Sequence, residues 1–191
     1  MREYAALIVL GSWLAFLPAM IARVPGLFGH TARRSFRSIL GIVLVSFAFA
    51  LVWPRVSRTT PPFALAPKTA AALAMISSVL GLWAIMTLGR QWSVQARLRT
   101  DHKLVVVGPY GWVRHPVYTA FLGLLVATGL VFAPSASRVL VGVVLYLSGT
   151  ALRVRSEDRL LRERFGERFD EYVRRTPALL PDLRRLSKSG R

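Results

Sequence analysis

The 191-residue chain contains no cysteine and only 9 acidic residues, against 26 lysines and arginines. Without thiols there is no disulfide framework and no thiolate metal site, and the redox state of the compartment leaves no trace in the sequence. Histidine is also scarce. His30, His102 and His115 are the three present, and they show none of the spacings a zinc site uses, so no metal is expected. There is no internal repeat and no low-complexity stretch beyond the basic end "LRRLSKSGR", within a tail set off as residues 182–191.

The shortage of acid leaves a net charge of +17, which by itself would fit a nucleic-acid binder. The apolar residues argue against that reading, because they come in long blocks rather than spread as a soluble core requires. Residues 4–22, "YAALIVLGSWLAFLPAMIA", and 38–53, "SILGIVLVSFAFALVW", carry no charge, and further apolar runs cover 69–88, 117–133 and 136–152. A bilayer core roughly 30 Å thick needs about 20 apolar residues in a helix. A cleaved signal peptide is the competing reading of the first run, which is longer than such segments usually are. The last two runs, each 17 residues, would extend roughly 25 Å at 1.5 Å per residue. They read as a tight hairpin joined at Pro134 and Ser135.

The expected fold is therefore all-α, an integral membrane protein of about five transmembrane helices. Residues 1–88 would hold three N-terminal spans. Residues 89–181 would hold a connector, the hairpin and a C-terminal cytoplasmic amphipathic helix. Of the 26 basic residues, 21 fall in 23–37, 90–115 and from Arg153 onward, which with five spans are all on one side. The positive-inside rule then puts the N-terminus outside and the C-terminus in the cytoplasm. Attraction to anionic headgroups accounts for this basic excess, and no nucleic-acid partner is needed.

Polar chemistry concentrates in the connector and the tail. "KLVVVGPYG", residues 103–111, reads as an extended strand-like segment closed by a turn. Pro116 suits the first turn of a helix, which puts His115 near its N-cap. After the fifth run, Leu161, Phe165, Phe169 and Tyr172 form an apolar stripe, interrupted by Gly166 and stopped by Pro177 and Pro181. Arg153 and Glu157 stand four apart on one helix face, where a surface ion pair is the bland reading and a functional pair at the membrane boundary the sharper one. Tyr110, Tyr118, Trp92 and Trp112 could be interfacial aromatics, and His115 a simple cap.

Taken together, "GPYGWVRHPVY" (108–118) and, further on, "RVRSEDRLLRERFGERFDEYVRRTPALLP" (153–181) resemble the isoprenylcysteine carboxyl methyltransferase family and the related phospholipid methyltransferases. Where that family commonly has glycine two residues after Arg-His-Pro-x-Tyr, this chain has Ala120, and the later acidic pair appears as Glu157 and Asp158. The resemblance implies S-adenosyl-L-methionine as cofactor. It implies contacts from Gln95, His102, Lys103, Leu104, Val105, Tyr110, His115, Pro116, Val117, Tyr118 and Glu157, with Arg153 holding a substrate carboxylate. The expected activity is O-methylation of a carboxylate on a lipophilic, isoprenoid-like or lipidated acceptor. N-methylation of an amine phospholipid such as phosphatidylethanolamine, or a non-catalytic sensor or assembly factor, are the alternatives.

Overall fold

The computed structural model describes residues 2–22, 36–53, 67–89 and 103–181. These form six α-helices: α1 (Arg2–Ala22), α2 (Phe36–Val52), α3 (Pro67–Leu88), α4 (Pro116–Phe132), α5 (Ala136–Phe165) and α6 (Glu167–Arg175). Each apolar run coincides with a helix to within about two residues at its start. Pro67 and Pro116 open α3 and α4, where a missing N–H costs nothing. Ser135 caps α5 by accepting the Arg138 N–H at 3.4 Å.

On length and composition α3 and α5 can each cross a bilayer, while α1, α2 and α4 contribute shorter apolar stretches. These helices are apolar on their outer as well as their inner faces. Leu7 and Leu14 of α1, Val43 and Phe47 of α2, Ile76 and Val79 of α3, and Leu140 and Val144 of α5 are all exposed. A surface of that kind is stable against lipid and not against water.

The helices α4 and α5, formed by the last two apolar runs, do not make the tight pair expected. The short turn between them is present, but α5 lies chiefly along α2, and α4 along α3. Small residues explain the choice, because they let backbones approach where larger side chains would hold them apart. A Cβ on Gly149 of α5 would sit 2.7 Å from the Gly41 carbonyl oxygen of α2, and a Cβ on Gly123 of α4 would collide with Ser77 of α3.

The apolar interior is knitted by aromatic rings from different helices. Phe16 packs edge-on against Phe121 at 4.9 Å and Trp13 against Phe49 at 5.1 Å. The Trp13 indole N–H donates to Thr128 Oγ1 at 3.0 Å, giving its one polar atom a partner in a dry setting. Phe16 lies directly over Gly81, where an added Cβ would overlap the ring. Gly81→Ala is expected to cost about 1–3 kcal/mol by overpacking, whereas Gly11→Ala, with nothing within 4 Å of the new methyl, leaves stability unchanged or slightly raised. Thermal unfolding in one detergent compares the two, and equal melting temperatures would refute this packing.

Two further corrections concern the soluble parts. Residues 103–107 form no strand among the described residues; Val107 is extended and leads into a 3-10 turn over Gly108–Gly111. The amphipathic helix is two helices rather than one with an interruption. Gly166 adopts φ 54°, a left-handed conformation that ends α5 and that a side chain would disfavour. Phe169 and Tyr172 on α6 are buried, while Leu161 and Phe165 at the end of α5 are only partly covered.

Candidate functional site at the mouth of α4 and α5

The apolar part of α5 ends at Leu152, and the charged remainder, 153–165, continues beyond it. Arg153, Glu157 and Asp158 therefore project from one helical rod just where α4 begins. From α4's side come Arg114, His115 and Tyr118. The six side chains meet in a single network.

Glu157 Oε1 accepts the Tyr118 hydroxyl at 2.5 Å and Arg153 Nη2 at 3.3 Å. The Tyr118 oxygen in turn accepts Arg153 Nε at 2.6 Å, and the guanidinium lies over the phenol ring at 5.6 Å. His115 stands between the two carboxylates, with Nε2 2.9 Å from Asp158 Oδ1 and Nδ1 3.4 Å from Glu157 Oε2. Asp158 Oδ2 accepts Arg114 Nη2 at 3.0 Å. Charges thus alternate along the chain Arg153, Glu157, His115, Asp158, Arg114.

Because both ring nitrogens of His115 face carboxylate oxygens, both need hydrogens, and the ring is an imidazolium. Burial pulls its pKa down, but the hydrogen bonds to Asp158 and Glu157 outweigh it and carry the value up to about 9. Burial likewise raises both carboxyl groups, and their contacts with His115, joined by Arg153 and Tyr118 or by Arg114, more than reverse it, leaving Glu157 and Asp158 below the ordinary range.

Backbone groups lock the network from outside. Thr176 is the C-cap of α6, and Pro177 prevents the helix from continuing. The next residues lie along the start of α4 so that four consecutive carbonyls accept hydrogen bonds. Thr176 takes Arg114 Nη1 at 2.5 Å, Pro177 the Arg114 amide at 2.8 Å, Ala178 the His115 amide at 3.0 Å, and Leu179 the Thr119 hydroxyl at 2.5 Å. Tyr146 of α5 reaches the Tyr118 carbonyl at 2.7 Å, and Tyr172 of α6 the Tyr110 carbonyl at 2.6 Å.

The sequence-expected residues divide accordingly. His115, Tyr118, Glu157 and Arg153 come together, with Pro116 and Val117 buried beside them in the first turn of α4. Tyr110 is buried next to them, its hydroxyl kept protonated by burial. Val105 packs into the apolar core, Leu104 is half-buried and Lys103 exposed. Trp112 is exposed and packs edge-on against Trp83 of α3 at 5.2 Å. Gln95, His102, Trp92 and the tail 182–191 lie outside the described residues. Arg114 and Asp158 had no assigned role from the sequence, although their places beside His115 and Glu157 were a usable signal. The carbonyls of 176–179 had none, since a backbone acceptor leaves no mark on side-chain identity.

Residues 70–163 match the family described as isoprenylcysteine carboxyl methyltransferase, a span that contains all five charged members of the network. This stretch of the chain belongs to that family. Relatives are consistent with it: the chain is 32% identical over 109 residues to protein-S-isoprenylcysteine O-methyltransferase B of Arabidopsis thaliana, covering 56% of this chain and 55% of that one. It is 30% identical over 125 residues to protein-S-isoprenylcysteine O-methyltransferase of Saccharomyces cerevisiae, covering 62% and 52%. It is also 37% identical over 98 residues to the nickel-cobalt-cadmium resistance protein NccN of Alcaligenes xylosoxydans xylosoxydans, covering 51% and 45%. The chain spans about half the length of these relatives. The family match leaves out α1, α2, α6 and the four carbonyls at 176–179.

Proposed function

We propose that the chain is a membrane-embedded, S-adenosyl-L-methionine-dependent methyltransferase that O-methylates a carboxylate on a lipophilic, isoprenoid-like acceptor. The core would be residues 89–181, with α5's charged end and α6 on the cytoplasmic side, as the distribution of basic residues favours. The observation that carries the choice of acceptor is the engagement of every nearby base. His115 holds a proton on each nitrogen, and Glu157 and Asp158 are both bound by cations. An amine acceptor must lose a proton, and none of these groups is free to take it. A carboxylate is already ionised at pH 7 and needs no base.

The donor set suits the cofactor. The first backbone hydrogen bond of α4 runs from the Thr119 amide to the His115 carbonyl, so the Val117 and Tyr118 amides remain unclaimed by the helix and can hold a carboxylate. Glu157 is 23% exposed, and its Oε2 has only the longer His115 contact, leaving room for an ammonium or a ribose hydroxyl. When bound, the cofactor supplies a methyl group on a sulfonium sulfur. Arg153 would bind the acceptor carboxylate and orient it for in-line attack, and the half-buried phenol of Tyr118 with the buried one of Tyr146 would keep water from the reacting groups. As to the metal in one relative's name, no group of three or more His, Cys, Asp or Glu among the described residues is arranged to hold a metal ion.

Calorimetric titration of the detergent-solubilised protein tests the cofactor assignment, with saturable binding below millimolar concentration expected and no heat at millimolar S-adenosyl-L-methionine refuting it. Labelled methyl transfer into membrane lipid then tests the acceptor. Base-labile label is expected for an ester, and base-stable label would transfer the assignment to an amine.

A further inference from the structure

Arg153 touches more than its polar partners. Its stem runs against α2, a helix outside the family match, at a place where the backbones of α2 and α5 come close. A Cβ on Gly41 would stand 2.7 Å from Arg153 Cγ, 2.7 Å from the Gly149 carbonyl oxygen and 3.5 Å from the Arg153 amide nitrogen. Gly149, one turn before Arg153, returns the contact: its Cβ would lie 2.7 Å from the Gly41 carbonyl oxygen and 2.9 Å from Leu44 Cβ. None of these neighbours is the far end of a flexible chain. Two are backbone oxygens, and Arg153 Cγ is two bonds from its own backbone.

The consequence is a clamp. On one side, α2's bare backbone presses the Arg153 stem; on the other, Tyr118 and Glu157 take its Nε and Nη2 at 2.6 and 3.3 Å. Arg153 is 6% exposed, so it has little other space to occupy. We infer that Gly41 is a positioning residue: by letting α2 lie against the Arg153 stem, it fixes where the guanidinium points, and through it where an acceptor carboxylate would be held. The last step rests on the function proposed above; the placement of Arg153 does not. It also gives α2 a part in the site that neither the Arg-His-Pro segment nor the acidic helix discloses.

Gly41→Ala is the direct test, with Gly142→Ala as control on the same seam. A Cβ at Gly142 is also tight, 3.1 Å from Val52 Cγ1, but lies far along α5 from Arg153. The first readout is independent of turnover. In 15N-labelled protein carrying His30→Gln and His102→Gln, the ring of His115 is titrated by NMR. The charges around that ring are Glu157 and Asp158, with Arg153 and Arg114 behind them. If Gly41→Ala displaces the guanidinium from Glu157, more of that carboxylate's charge falls to His115, and its midpoint moves up from about 9. Gly142→Ala leaves it in place. The second readout is kinetic: Gly41→Ala raises the acceptor KM about tenfold, while affinity for S-adenosyl-L-methionine changes less than twofold.

Should Gly41→Ala not be recovered folded, Val45→Ala loosens the same seam without a clash, since Val45 Cγ2 lies beside Gly149. It is expected to move the His115 midpoint in the same direction by less. An unmoved midpoint in a folded variant, or equal shifts in Gly41→Ala and Gly142→Ala, overturns the inference. A wild-type protein that binds no cofactor and transfers no methyl group would defeat the proposed function, while the NMR comparison would still decide the placement of Arg153.

Discussion

Glu157→Ala is expected to weaken S-adenosyl-L-methionine binding by more than tenfold and to destabilise the folded chain by about 3–5 kcal/mol, the usual range for removing one partner of a buried ion pair. One oxygen of this carboxylate serves both Tyr118 and Arg153, and the other faces His115. Its loss strands a hydroxyl donor and leaves the imidazolium with Asp158 alone. Glu157→Gln should recover part of the stability, because an amide oxygen can still accept from Tyr118, but not the affinity that depends on charge. Arg153→Ala should behave differently, keeping cofactor affinity within a few fold while turnover falls. Calorimetry and initial rates on the three variants separate these outcomes, and equal loss of cofactor binding in Glu157→Ala and Arg153→Ala would abolish the division of roles.

The second large effect is on pH. His115 rises from an ordinary value of 6.5 to about 9 on folding, so the folded state holds its proton more tightly than the unfolded state. The stability this contributes is fully present below about pH 6.5 and is lost as pH climbs through 9, to a total of about 3 kcal/mol at most by linkage. The two carboxylates act in the opposite sense. With folded values below their ordinary ones, they stabilise above about pH 4 and lose that contribution as acid protonates them. Melting temperature should therefore be highest between about pH 5 and 7 and decline on both sides. His115→Gln should flatten the alkaline limb while lowering the maximum, since it leaves Glu157 and Asp158 facing each other without the cation between them. An alkaline limb that survives the substitution would place its origin elsewhere.

The helices were legible because lipid-facing segments show themselves by what they omit: runs without charge are a local property of the sequence, and they predicted α1 to α4 and the apolar half of α5 closely. Pairing was not legible. Whether α5 lies against α4 or α2 depends on which small residues face one another, and glycines occur in every one of these helices but α6. Gly41 and Gly149 become partners only in three dimensions. The site followed the same division. His115, Tyr118, Arg153 and Glu157 announced themselves by residue type and by their place at the membrane boundary. Asp158 and Arg114 were visible as neighbours, but their function comes from alternating contacts that spacing alone does not give. Gly166 was recognised as a disturbance, and its positive φ turned that disturbance into a break between two helices.

The four carbonyls of 176–179 also set a schedule. Thr119 and Leu179 are 60 residues apart and Arg114 and Thr176 are 62 apart, and at a synthesis rate of roughly 5–20 residues per second the later group emerges about 3–12 seconds after the earlier one. Throughout that interval the Arg-His-Pro segment lacks these four acceptors, and Arg153, Glu157 and Asp158 are made only about two-thirds of the way through it. The network would thus be closed only once residue 179 has been made, whatever the order in which its helices enter the membrane.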